Sequence, residues 1–105
     1  MTRRAAQRAP AKLVLRLYVA GGSPNSERAR QNLRAALAHL PQERVSVELV
    51  DVLRDPERAL RDGVLVTPTL IRERPAPEQR FIGTLNDRSV LLAGLGISEA
   101  GLVQD

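Results

Sequence analysis

Residues 13–19, LVLRLYV, are apolar on both strand faces except at Arg16. A short two-sided run of this kind, closed by Gly21-Gly22, predicts a central buried strand. Ser23-Pro24 follows, an N-cap residue with proline at the first helical position, where its missing N–H costs nothing. Ala29, Leu33, Ala36, Leu37 and Leu40 then form one apolar stripe at helical spacing, with Arg28, Arg30, Gln31 and Arg34 opposite and Pro41 as the expected stop. Over residues 45–52 the pattern switches to alternation, with Val45, Val47 and Leu49 on one face and Ser46 and Glu48 on the other. Strand, four-turn helix and strand make a βαβ unit, hence parallel pairing with a right-handed crossover. Asp55-Pro56 repeats the cap signal and opens a short helix that Gly63 closes. A third strand is expected around Val64–Ile71, interrupted at Pro68. Thr69–Arg72 and Arg80–Gly83 then form a hairpin across Pro75-Ala76-Pro77, before a last helix capped by Asn86 or Asp87 and carrying Val90, Leu91 and Leu95.

Composition narrows the chemistry. The 105 residues suit one small α/β domain, expected over 13–96, with an arm at 1–12 and a tail at 97–105. The chain has no cysteine, so disulfides, thiolate nucleophiles, iron–sulfur clusters and cysteine-held zinc are excluded. His39 is the only histidine, and Asp51, Asp55 and Asp62 are spread over strand, cap and loop, so no metal site is expected. Tyr18 and Phe81 are the only aromatics, too few to stack the bases of a single-stranded nucleic acid. The net charge of +4 belongs to the arm: removing Arg3, Arg4, Arg8 and Lys12 leaves twelve basic against twelve acidic residues. No nucleic-acid partner is therefore expected of the folded part. No apolar N-terminal core or membrane-length run is present, which gives a cytoplasmic protein without membrane contact as the default.

The order β-α-β-α-β-β-α, with a helix opening after the first strand and Thr67-Pro68 before the third, resembles the thioredoxin-like fold. In that fold a Cys-x-x-Cys motif opens the first helix. Here the place is held by Ser23-Pro24-Asn25-Ser26, a degenerate redox motif whose hydroxyls cannot form a disulfide. The resemblance makes Pro68 the expected cis-proline elbow; read locally, it is a proline opening an edge strand.

The strings LRLYVAGGSPNSERARQNL at 15–33, ELVDVLRDPERALRDGVLVTPTL at 48–70 and FIGTLNDRSVLLAGL at 81–95 look like KaiB, the small circadian-clock family. The resemblance implies a non-enzymatic regulator without cofactor that binds a KaiC-type RecA-like hexameric ATPase, with a KaiA-like protein or a histidine kinase as further partners. An alternative is a stand-alone KaiB-like sensor domain docking on a histidine kinase. The family is metamorphic: a ground-state fold, often tetrameric, exchanges with a thioredoxin-like monomer, so monomer, dimer and tetramer all stay open. Arg28 matches a basic partner-binding residue, with Asn25 and Ser26 beside it. Pro68, Pro75, Pro77, Gly83 and Gly94 fall at positions expected to set the fold or its switching. The bland reading makes Ser23, Asn25 and Ser26 capping residues and Arg28 a solvated one. The chain departs from the family at Ala76 within a run of prolines, at Thr84 in place of an acid and at Gly96 in place of an aspartate. The local signals agree with the thioredoxin-like state, which is the expected one.

Overall fold

A computed structural model describes residues 12–98 and 101–102. The basic arm, with Arg3, Arg4 and Arg8, and most of the expected tail lie outside the described residues. Strand β1 (Leu13–Val19) leads into helix α1 (Pro24–Leu37), a single 3-10 turn (Gln42–Arg44) and β2 (Val45–Asp51). Helix α2 (Pro56–Arg61), β3 (Thr69–Arg74), β4 (Gln79–Ile82) and α3 (Arg88–Leu95) follow, and then β5 (Ile97–Ser98) pairs with β6 (Gly101–Leu102). The main sheet has the order β2-β1-β3-β4, parallel between β1 and β2 and antiparallel elsewhere.

Strand β1 is central, as its two-sided apolar sequence requires. Leu13, Leu15, Leu17 and Val19 point to one face and pack with Ala29, Leu33 and Ala36 of α1 and with Leu91 and Leu95 of α3. Burying each such leucine is worth about 1.5–3 kcal/mol. On the opposite face Tyr18 packs with Val50, Ile71, Ala59 and Val64 under the short α2. Leu85 joins the first core from a left-handed backbone (φ 64°), and the Asn32 amide of α1 holds that loop by donating to the Thr84 carbonyl at 2.8 Å.

Three boundaries differ from the sequence pattern. Helix α1 stops at Leu37, three residues before the end of its apolar stripe. Leu40 reaches the core from a turn instead. Residues 64–68 are not strand: the Val64 N–H returns to the Ala59 carbonyl at the end of α2, and pairing begins at Thr69. The stretch from residue 97, expected as a tail, contains the small β5–β6 ladder. The peptide bonds before Pro68, Pro75 and Pro77 are cis.

Candidate partner-binding site

Where β1 runs into α1 the chain is fixed by side chains on both sides of the sheet end. Ser23 caps α1 by accepting from the Ser26 N–H, and its hydroxyl donates to Ser26 Oγ at 2.9 Å. Ser26 Oγ in turn accepts from the Ala20 N–H at 3.0 Å. From β2, Asp51 Oδ1 accepts from the Gly21 and Leu53 N–H groups, both at 3.0 Å. These backbone donors, Leu53 first and then Gly21, hold the Asp51 carboxyl below the ordinary carboxylate range. Arg30 completes the frame by donating to the Gly21 carbonyl at 3.0 Å, and Gly21 itself sits at φ +55°.

The degenerate redox positions are thus structural. Ser26, expected among the partner-contacting residues, is fully buried and cannot face a partner; its hydroxyl holds the turn. Asn25 and Arg28 are exposed, and their spacing of three puts them on one side of α1. Beside this turn a depression of about 380 Å³ is lined by Arg30, Asp51, Arg54 and Arg58, among others. Ser23 has another hydroxyl as its partner, not a base. Among the described residues no cluster of His, Asp and Glu could hold a metal ion, and no helix is long and apolar enough to cross a membrane.

The remaining flagged residues gather elsewhere. Pro68 is buried, and its carbonyl accepts from the Gly83 N–H at 2.9 Å, with Gly83 at φ +106°. Pro75 and Pro77 lie in the exposed β3–β4 connection. Gly94 faces Phe81: a Cβ placed there would stand 2.3 Å from the ring. Gly96 ends α3 in the left-handed region, at φ +72°.

A model of the KaiB domain matches residues 16–97. The chain belongs to the KaiB family. Circadian clock protein KaiB3 of Synechocystis sp. is 40% identical over 91 residues, 87% of this chain and 89% of the relative. The circadian clock oscillator protein KaiB of Gloeothece citriformis is 43% identical over 84 residues, 80% of this chain and 79% of the relative. Both relatives are named for the circadian clock. Among solved structures, the N-terminal domain of Synechococcus elongatus SasA superimposes with a TM-score of 0.69 at 24% identity, covering 86% of this chain and 85% of that one. The Drosophila melanogaster thioredoxin Deadhead gives a TM-score of 0.66 at 18% identity, covering 90% and 89%. The thioredoxin-like architecture inferred from element order is the observed one.

Two groups were not legible as contacts in the sequence. Arg16 sits among Glu48 (3.2 Å), Asp62 (3.1 Å) and Glu73 (2.8 Å) on the α2 side of the sheet. The Tyr18 hydroxyl also donates to Asp62, and burial, helped by that carboxylate, pushes the phenol pKa up. Arg72 donates to the Gly94 carbonyl at 2.6 Å and to the Pro77 carbonyl at 2.7 Å. For Arg16 a lone arginine in an apolar strand was the only available signal, and its partners lie as far as 57 residues away; Arg72, followed by Glu73 and Arg74 in β3, did not stand out at all.

Proposed function

We propose that this KaiB-family chain docks on a KaiC-type hexameric ATPase through the start of α1, in circadian or stress- and light-linked signalling, and does so in the thioredoxin-like state. The observation that carries this reading is the β1–α1 turn. The fold's redox position is filled by hydroxyls that lock the turn, and the same lock presents Asn25 and Arg28 on a rigid exposed edge. A fixed turn contributes binding energy because its residues need no ordering on association. Arg28 supplies a cationic contact; Asn25 supplies amide donors and an acceptor beside it. The flagged C-terminal positions Pro68, Pro75, Pro77, Gly83 and Gly94 act on the fold and not on the partner: they set how strongly the half that refolds in the family holds this arrangement.

The test is size-exclusion with light scattering of the full chain, alone and mixed with the KaiC-type ATPase of its own source, in ATP and in ADP. The expected result is co-elution with the hexamer in one of the two nucleotide states. Separate elution in both overturns the reading.

A further inference from the structure

Helix α2 and the loop behind it, residues 56–67, cover one apolar face of the sheet with very little apolar surface of their own. That face is made by Tyr18, Val50 and Ile71, and Tyr18 is fully buried. Of residues 56–67 only Ala59 and Val64 are buried, while Leu60 and Leu65 turn outward, 76% and 91% exposed. A helix of six residues is too short to persist by itself in water. Contacts with the sheet therefore hold it.

Most of those contacts are charged. Arg58 donates to both oxygens of Glu48 on β2, at 2.5 and 2.6 Å. At the end of α2, Asp62 Oδ2 accepts from Arg16 Nη1 at 3.1 Å and from the Tyr18 hydroxyl, both on β1. Arg80 of β4 donates to the Asp62 and Gly63 carbonyls. The other two guanidinium nitrogens of Arg16 meet Glu48 at 3.2 Å and Glu73 at 2.8 Å. Arg16 thus grips Asp62 directly and also orients Glu48, the partner of Arg58. The sheet itself depends on none of this: its strands pair with one another, and its opposite face packs on α1 and α3. The ends of the covering segment are fixed, Asp55 by the Asp51 carbonyl at 2.9 Å and Thr69 by pairing with Tyr18 and Ile82.

A segment with few buried apolar contacts opens at a lower free energy than the core around it. We propose that residues 56–67 form a flap latched by charge, with Arg16 as the latch. The flap lifts from the sheet as a unit and uncovers Tyr18, Val50 and Ile71, while β1–β4, α1 and α3 stay folded. The side chains of the latch are 21–48% exposed, so dissolved salt reaches and weakens it.

The chain carries its own reporters. Tyr18 is the sole tyrosine and there is no tryptophan, so tyrosine fluorescence reads this face alone. The amides of Asp62, Gly63 and Val64 donate to the Arg58, Leu60 and Ala59 carbonyls and read the flap. In the full chain, hydrogen exchange at these three amides is expected to run at least roughly tenfold faster than at Leu17 and Leu70 of the paired strands. Raising sodium chloride from about 0.1 M to about 1 M shortens the screening length from about 10 Å to about 3 Å. That change is expected to speed the three amides by roughly threefold more and to raise acrylamide quenching of Tyr18 in step, with Leu17 and Leu70 unchanged. Arg16→Met, which keeps an apolar stem in β1, is expected to do the same at the lower salt. Exchange of the three amides at the rate of Leu17 at every salt concentration overturns the proposal, because the flap then opens only with the whole fold. So does a salt response shared equally by the strand amides, faster flap exchange that leaves Tyr18 quenching unmoved, or a folded Arg16→Met chain with unchanged flap exchange. Should Arg16→Met fail to fold, the salt series on the unmodified chain decides. None of these outcomes bears on docking to the ATPase through α1.

Discussion

Gly94 shows how much a single missing Cβ can decide. The residue sits inside α3, where glycine ordinarily weakens a helix by roughly 0.5–1 kcal/mol, yet a methyl there would collide with the Phe81 ring at 2.3 Å. The close approach of helix to β4 therefore outweighs helix propensity. Gly94→Ala is expected to lower the stability of this fold by about 1–3 kcal/mol, the usual range for overpacking, measured by urea unfolding. Gly96 makes the opposite case. Its left-handed backbone ends α3, and Gly96→Ala is expected to cost roughly 1–2 kcal/mol in the same assay. Family resemblance pointed to Gly94 and marked Gly96 as a departure, but the facing phenylalanine, thirteen residues upstream of Gly94 on another element, left no mark in the local pattern. Asp51 carries the pH dependence of the β1–α1 turn. Its folded pKa is depressed, so its contribution is present above the ordinary carboxylate pKa and is lost as the pH falls through it toward the folded value. The Asp51→Ala variant, compared with the unmodified chain in melts between pH 7 and pH 3, is expected to show a smaller loss of stability on acidification.

At the scale of elements, the caps and periods were the most legible features. Ser23-Pro24 and Asp55-Pro56 open their helices where the sequence placed them, because a side-chain cap and a proline act within four residues. Strand β2 was legible as a strand but not as an edge: alternation shows that a face is apolar, not whether another layer covers it. The same limit explains α1, whose stripe continues to Leu40 while the backbone leaves the helix at Leu37. Arg72 ties three elements that no local signal joins, since its guanidinium reaches α3 and the Pro75–Pro77 connection from β3. Losing charged hydrogen bonds of this kind costs about 1.5–3 kcal/mol each. Arg72→Met, which loses both, is expected to destabilise the chain by about 3 kcal/mol or more in equilibrium unfolding. Arg72→Lys is expected to recover only part of that, because a single ammonium lacks the planar fork that serves both carbonyls.

For the molecule as a whole, the reading of sequence to function turned on what the chain lacks. A thioredoxin-like scaffold without cysteine keeps the turn at the start of α1 and loses its thiol–disulfide chemistry; under the proposed function that turn is a surface for recognition. The fold class and the family were legible because element order and three strings carry them. Ser26 was misplaced as a contact residue because burial depends on Ala20 and Ser23 closing over it, a tertiary fact. The central claim, that the edge carrying Arg28 docks on the ATPase ring, is tested most directly by the affinity of labelled full-length chain for the KaiC-type hexamer, with and without Arg28→Glu. The expected result is at least a tenfold weakening, about 1.4 kcal/mol, in a variant whose thermal melt is unchanged. Equal affinity of the two chains would contradict the account.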